Sequence, residues 1–249
     1  MEVVEYYNKV YDEDKRLADG CDNRHYTERE VKKRIYIEHI SPGSKVLDVC
    51  CGTGLYSRFL RDKLECQVSC CDIVPNHVQI TKSHGFDAVV ADARELPYEN
   101  ESFDVVLLSG AIYHLHTKED KIKAIRECAR VLRQGGKIFI DYLSEYNGFV
   151  EHCLMADDFL NQCNISDLVS CNCKDPTFSF DNAESMIEMC HDLNIEQVKV
   201  FALDGITRFI KNDVNTWSQN KANKWIDFIY HMSEKCVDLS EHCMVVGQK

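Results

Sequence analysis

The chain has 249 residues, of which 41 are acidic and 29 basic, giving a net charge of −12 at pH 7. An acidic surplus of this size repels phosphate backbones, so we expect neither RNA nor DNA as a partner. No apolar segment approaches the roughly 20 residues that span a bilayer, and the opening MEVVEYYNKV lacks a signal-peptide pattern. These features disfavour a transmembrane class and predict a cytoplasmic monomer or homodimer without a membrane partner.

The first predicted elements are two helices. Val3, Tyr7 and Leu17 recur at helical spacing within residues 3–17, and a polar, turn-rich stretch follows. Residues 28–40 form the second predicted helix, with apolar side chains on one face, and a Ser-Pro-Gly turn ends it.

A strand, a glycine turn and a helix follow in the stretch VLDVCCGTG, residues 46–54. Gly52 and Gly54 let a ligand approach the backbone, and the free N–H groups at the start of the helix favour electron-rich ligand atoms. Cys50 occupies the first position of the turn, where a positive φ would strain it, and we expect an extended backbone there. The same arrangement serves dinucleotide binding, so the turn by itself indicates a nucleotide-type ligand and no particular one.

Two further acids end the next predicted strands. Asp72 follows the apolar run 68–71, about 20 residues after the turn, where comparable folds place an acid on the ribose hydroxyls. Asp92 follows residues 88–91, and the strand 103–108 ends in Ser109. Because the carboxyl ends of parallel strands meet at one edge of a sheet, these residues predict a single ligand site.

The remaining sequence continues the alternation of strand and helix, with one lapse. The predicted elements are a helix 118–133 capped by Thr117, a strand 137–142, an irregular stretch 144–180, a helix 181–194, a strand 195–203, a helix 215–236 and a strand 242–246. Helices of this length between strands predict right-handed crossovers and a parallel sheet.

The segments VVADARELPYENESFDVVLLSGAIYHL and ECARVLRQGGKIFID, together with the glycine turn, resemble the class I S-adenosylmethionine-dependent methyltransferases. The likeness covers Lys45 to about Asp141 and is nearest to the methyltransferase type 11 group, related to ubiquinone and menaquinone biosynthesis enzymes. It implies an α/β fold: a Rossmann-like, seven-stranded, mostly parallel sheet with helices on both faces and an antiparallel last strand. It also implies a helical lid over residues 1–42, the methyltransferase domain over 43–249 and a cap insertion at about 144–180.

The resemblance further implies the cofactor, S-adenosylmethionine, whose demethylated product is S-adenosylhomocysteine. Asp48 and Gly52 would flank its methionine part, with Ser109 at the same end, and Asp72 would accept from the ribose hydroxyls. Ile73, Asp92 and Ala93 would surround the adenine. The cofactor-binding residues expected on this basis are Asp48, Cys50, Gly52, Gly54, Asp72, Ile73, Asp92, Ala93 and Ser109.

The acceptor side centres on His114, five residues beyond Ser109. A histidine there is suited to removing a proton from a hydroxyl or an amine near neutral pH, and a structural histidine is the alternative. We expect a small-molecule acceptor and direct in-line methyl transfer. The residues expected to line its pocket are Tyr7, Tyr11, Arg24, His25 and Tyr113, for each of which packing or solvation is the alternative.

Two other functions stay open. One is a cofactor-binding protein without catalysis, since a fold by itself does not establish activity. The other is an arsenite methyltransferase, because the chain has 14 cysteines. We expect most of these thiols to be reduced and buried and predict no metal site, because a lone C-x-C lacks the paired spacing of zinc sites. The cysteines that would serve the arsenic alternative are Cys163, Cys171, Cys173 and Cys190.

Overall fold

The computed structural model describes residues 3–9, 23–146, 177–210 and 214–249. Its strands are β1 (Lys45–Val49), β2 (Gln67–Asp72), β3 (Asp87–Val90), β4 (Phe103–Leu108), β5 (Leu132–Leu143), β6 (Glu196–Ala202) and β7 (His242–Gln248). Its helices are α1 (Val3–Lys9), α2 (Asn23–His39), α3 (Leu55–Leu64), α4 (Pro75–Ser83), α5 (Lys118–Val131), α6 (Ala183–His191) and α7 (Gln219–Met232).

The seven strands form one sheet in the order β3-β2-β1-β4-β5-β7-β6. Strands β1 to β5 pair in parallel, whereas β7 runs antiparallel to both β5 and β6. The predicted fold class is therefore confirmed, including the antiparallel last strand. The strand order reverses its direction at β1 and β4, and this is where open α/β sheets bind ligands.

Alternation along the central strands separates the core into two layers. Leu47 and Val106 join an apolar cluster with residues of α5 and α6 on one face of the sheet. Val46, the residue before Leu47, and Leu107, the residue after Val106, join a second cluster with α2, α3 and α7 on the other face. Both faces of the central sheet are thus covered, as a parallel sheet requires.

Helix α2 is anchored by a fully buried stripe. Val31, Ile35 and Tyr36 have no exposed surface, and Tyr36 packs edge-on against Phe139 of β5 with ring centroids 5.2 Å apart. This packing fixes the helix on the sheet above the carboxyl ends of β1 and β4. Within the described ranges no helix is both long and apolar enough to cross a bilayer.

Several predicted boundaries differ from the structure. Helix α2 begins at Asn23 rather than at residue 28, so Arg24 and His25 lie in its first turn and not in a polar loop. Helix α5 ends at Val131 rather than at residue 133, and β5 begins at Leu132 rather than at residue 137, so that Gly135, with φ +77°, lies inside the strand. Tyr11 and most of the expected cap insertion lie outside the described residues.

Candidate active site

A cavity of about 380 Å³ opens at the carboxyl ends of β1, β2 and β4, beneath α1 and α2. It brings together most of the residues expected to hold the cofactor and three expected on the acceptor side. Gly54 and His25 are not among its lining residues. The predicted residues that line it are Asp48, Cys50, Gly52, Asp72, Ile73, Asp92, Ala93, Ser109, Tyr7, Tyr113 and His114.

The carboxylate of Asp72 is fixed by the backbone around it. The N–H of Gly52 donates to Oδ2 at 2.9 Å, and the N–H of Val74 donates to Oδ1 at 2.8 Å. Each carboxylate oxygen can accept a second hydrogen bond. Asp72 is therefore held in place with accepting capacity left for a diol, which fits the ribose of the expected cofactor.

The turn at Gly54 is a position for glycine alone. Its φ is +81°, and a Cβ built there would lie 3.3 Å from the Cγ2 and Oγ1 atoms of Thr81. Thr81 itself donates to the carbonyl of Gly52 at 2.9 Å. Gly54 thus keeps the turn and the start of α3 close to α4 without touching the cavity.

The expected extended backbone at Cys50 is wrong. Its φ is +61°, the left-handed region that disfavours side chains, because the chain must reverse directly after β1. The thiol lines the cavity, and burial together with the Asp72 carboxylate raises its pKa well above the ordinary value. Cys50 is therefore a neutral thiol at neutral pH.

The end of the cavity beside Asp92 contains a residue that was not predicted, Arg94. Arg94 donates to the Asp92 carboxylate at 2.7 Å through Nη2 and reaches Asp120 at 3.3 Å. The hydrogen bonds from Arg94 hold the pKa of Asp92 below its ordinary value. Asp92 thus stays ionised beside the cavity, and the pattern D-x-R could have indicated the pair.

The end of the cavity beside Ser109 contains three more residues that were not predicted: Lys32 from α2, Tyr56 from α3 and Asp141 from β5. The ammonium of Lys32 donates to Asp141 and, at 3.2 Å, to the hydroxyl of Ser109. The signal was available, because Glu28, Lys32 and Tyr36 recur every four residues on one face of the helix.

His114 and Tyr7, which were predicted separately, form a hydrogen-bonded pair. The Nε2 atom of His114 lies 2.8 Å from the Tyr7 hydroxyl, and Nδ1 lies 3.0 Å from the carbonyl oxygen of Thr177. A carbonyl only accepts, so Nδ1 carries the hydrogen, and in the neutral ring Nε2 accepts from Tyr7. The arrangement fixes the tautomer of His114 and makes the Tyr7 hydroxyl the donor to its ring.

Aromatic rings surround this pair. The centroid of His114 lies 4.9 Å from that of Tyr113 and 5.2 Å from that of Phe178. Tyr6 approaches Phe178 at 5.7 Å. We call these rings the aromatic cluster; it comprises Tyr6, Tyr7, Tyr113, His114 and Phe178.

The segment that carries Thr177 and Phe178 is tied to the core. The N–H of Ser179 donates to the carbonyl of Tyr113 at 2.7 Å, and Lys121 forms a buried ion pair with Asp181 at 2.7 Å. These contacts hold the Thr177 carbonyl against His114, so the residues next to the insertion help to set the state of the candidate base.

The structure describes one of the four cysteines of the arsenic alternative, Cys190. Cys163, Cys171 and Cys173 lie outside the described residues, and burial raises the pKa of the Cys190 thiol to about 12. Within the described ranges, the group with metal-ligand spacing is Asp204, Glu241 and His242. Asp204 already accepts from the Glu241 N–H at 2.9 Å and pairs with His242 at 3.1 Å, which accounts for the cluster without an ion.

Comparison with known proteins identifies the domain. Residues 47–140 match the family model described as a methyltransferase domain. The probable tRNA methyltransferase 9B of Homo sapiens is 37% identical over 107 residues, 43% of this chain and 23% of that protein. The Xenopus tropicalis tRNA (carboxymethyluridine(34)-5-O)-methyltransferase alkbh8 is 35% identical over 136 residues, 55% of this chain and 20% of that protein.

Two further relatives extend the comparison. The ubiquinone biosynthesis O-methyltransferase of Xanthomonas oryzae is 36% identical over 109 residues, 41% of this chain and 44% of that protein. A structure titled as a complex between the Haloferax volcanii Trm112 methyltransferase activator and a putative methyltransferase superposes with a TM-score of 0.64 at 19% identity, covering 99% of this chain and 97% of that one.

The fold is therefore that of the class I methyltransferases, and the cofactor that this fold implies is S-adenosylmethionine. More particularly, the conserved-domain match places residues 47–140 in the methyltransferase domain family. The matched segments span less than a quarter of either tRNA methyltransferase relative. Even so, they overturn the expectation that nucleic acid has no part, because net charge describes the whole surface and says little about one pocket.

Proposed function

We propose that this methyltransferase acts on a nucleobase of tRNA, at an O–H or N–H group that the Tyr7–His114 pair deprotonates. The observation that carries the proposal is that pair, hydrogen-bonded at 2.8 Å inside the cavity and surrounded by the aromatic cluster. The names of the relatives support tRNA as the acceptor, and the geometry supports the kind of atom that is methylated.

When bound, S-adenosylmethionine supplies a methyl group activated by a positive sulfonium. The residues that would hold it are Asp72 on the ribose, Gly52 in the turn beside it, and Asp92 with Ala93 at the adenine. The accepting capacity left on the Asp72 carboxylate and the glycine turn beside it fit this molecule. Since α1 and α2 both contribute to the cavity lining, we also propose that residues 1–42 cover the site as a lid, over a domain spanning 43–249.

The base acts through two proton transfers. The acceptor's O–H or N–H bond breaks and its proton goes to the Tyr7 oxygen, while the Tyr7 proton moves to Nε2 of His114. The imidazolium so formed is stabilised by the Thr177 carbonyl on Nδ1. General-base assistance of this kind contributes roughly 10²- to 10⁴-fold to the rate.

The three rings of the aromatic cluster that line the cavity, Tyr7, Tyr113 and His114, suit a planar acceptor. A base taken out of its stack regains roughly 1–3 kcal/mol by stacking on aromatic side chains. The net charge of −12 gives little attraction for phosphates, so recognition would rest on the base rather than on the backbone. Binding of tRNA should accordingly depend only weakly on salt.

The test measures transfer of labelled methyl groups from S-adenosylmethionine to bulk tRNA, to free nucleosides and to a panel of hydroxylated aromatic metabolites. Label in tRNA that is lost in His114→Ala supports the proposal. Tyr7→Phe should lower turnover and flatten the pH dependence near neutrality. Tyr230→Phe, which removes a hydroxyl bonded to Glu38 at the surface, serves as the control.

Three outcomes would contradict the proposal. If label appears only in a hydroxylated aromatic metabolite, that metabolite and not tRNA is the methyl acceptor. If the dependence of turnover on pH is the same in Tyr7→Phe as in the unaltered protein, the Tyr7–His114 pair is not the general base. Cofactor binding without transfer to any acceptor would favour the non-catalytic alternative.

A further inference from the structure

A buried polar group lies at the end of the cavity beside Ser109. Lys32 exposes 3% of its side chain and Asp141 exposes 13%, and the two form an ion pair. The Lys32 ammonium also lies 4.2 Å from the centre of the Tyr56 ring. All three residues line the cavity, and each comes from a different element: α2, α3 and β5.

Two atoms of this group lack a hydrogen-bond partner among the described residues. They are the Oδ1 atom of Asp141 and the hydroxyl of Tyr56, both buried. Buried polar atoms in folded proteins are nearly always paired, so each exception needs an explanation. A ligand in the cavity that offers a donor to Asp141 and an acceptor to Tyr56 would supply it.

The charges around these atoms restrict the chemical class of ligand that can bind there. Lys32 presents a positive charge, whereas Asp141 and Glu28 present negative ones within interaction range. A ligand that complements them carries an anionic group and a cationic group close together. An α-amino acid has this pattern, with a carboxylate and an ammonium on one carbon.

We propose that Lys32, Tyr56 and Asp141 form the subsite for the amino-acid end of S-adenosylmethionine. The Asp141 Oδ1 atom accepts from the ligand ammonium, and the Lys32 ammonium and Tyr56 hydroxyl donate to the ligand carboxylate. The contact between Lys32 and Ser109 places this subsite at the methionine end of the cavity.

The packing of α2 against the core preorganises this subsite. The neighbours of Lys32 on α2, Val31 and Tyr36, are fully buried, so the lysine is carried on a helix that is fixed to the core. Burial opposes its charge, but the Asp141 carboxylate outweighs burial and raises the pKa of Lys32 above the ordinary value. Lys32 therefore stays charged, and α2 contributes cofactor affinity rather than only covering the site.

The experiment compares two ligands by titration calorimetry. S-adenosylhomocysteine carries the amino-acid group, and 5′-methylthioadenosine has the same nucleoside and sulfur without it. Lys32→Gln should weaken S-adenosylhomocysteine roughly 10- to 100-fold, the effect of losing one charge-assisted hydrogen bond, and leave 5′-methylthioadenosine unchanged. Asp141→Asn should act on the same ligand alone, and Tyr56→Phe should give a smaller loss on it.

A matched control lies one residue away. Lys33 is on the same helix, outside the cavity lining, and pairs with Glu30 at 2.9 Å, so Lys33→Gln should change neither affinity. If Lys32→Gln folds poorly because it leaves Asp141 buried without a cation, the double variant Lys32→Gln with Asp141→Asn restores neutrality and is measured instead.

Equal losses for both ligands would show that the group is only structural and would overturn the proposal, as would unchanged affinity for S-adenosylhomocysteine. The measurement needs no methyl acceptor. Its failure is therefore distinct from a failure of the tRNA proposal.

Discussion

Replacing Gly54 by alanine tests whether the turn between β1 and α3 is built around a missing side chain. An alanine at φ +81° costs roughly 1–2 kcal/mol for the left-handed backbone, less about 0.4–1 kcal/mol from the stiffer unfolded chain. The new Cβ would also press on fully buried Thr81 at 3.3 Å. Overpacking of a closed site adds roughly 1–3 kcal/mol. We therefore expect Gly54→Ala to lower the free energy of unfolding by about 1–5 kcal/mol.

Gly43→Ala is the control. Gly43 has a similar φ of +77°, but a Cβ there would meet nothing within 4 Å, so only the backbone cost applies. Urea unfolding at constant m-value gives both free energies, and calorimetry shows whether S-adenosylhomocysteine binding falls with Gly54→Ala, since Thr81 also holds the Gly52 carbonyl. Equal destabilisation by the two alanines would refute the reasoning, because the contact with Thr81 would then contribute nothing.

Three further predictions concern single side chains. Cys50→Gly should raise the free energy of unfolding by roughly 0.5–1 kcal/mol, because relief of the positive φ exceeds the added chain entropy; a decrease in urea unfolding experiments would show that packing of the thiol matters more. Asp72→Asn should weaken S-adenosylhomocysteine and 5′-methylthioadenosine alike, since both carry the ribose, and calorimetry that found full affinity for either would remove Asp72 from the site. Hydrogen bonds from Arg130 lower the pKa of Glu127, so the stability that Glu127 contributes is present above its unfolded pKa of about 4.3 and is lost as the pH falls through the lower folded value. Glu127→Gln should accordingly flatten the loss of stability on acidification below about pH 4.5, and an unchanged slope in acid unfolding would contradict this assignment.

The sequence predicts the sheet, and the residues at the carboxyl ends of its strands, correctly because the signals are local. Apolar runs such as residues 103–108 mark buried parallel strands, and an acid or a glycine at the end of each run marks the edge where ligands bind. The sequence therefore predicts Asp72 and Gly52 at this edge, and in the structure a hydrogen bond of 2.9 Å joins them. The boundary of α2 was missed because the residues before Glu28 are polar and give no apolar period.

The prediction about nucleic acid was wrong because it was based on the net charge of the whole chain. The net charge of −12 led to the expectation that nucleic acid has no part, yet relatives at 35–37% identity are named as tRNA methyltransferases. Charge sums over the whole surface, whereas a base is bound by a few rings in one pocket. The aromatic cluster that could do this combines residues from three separate parts of the chain, so no local pattern indicated it.

The sequence alone determined the order of strands and helices, the glycine turn and the acids that follow the strands, because each depends on the spacing of neighbouring residues. The tertiary structure decided which polar side chains meet in the cavity: Tyr7 with His114 across 107 positions, and Lys32 with Asp141 across 109. It also decided that Cys50 takes a positive φ. Contacts between residues so distant in sequence form only when the helices pack onto the sheet. The spacing of apolar residues predicts the helices and strands but does not predict which polar side chains then come into contact.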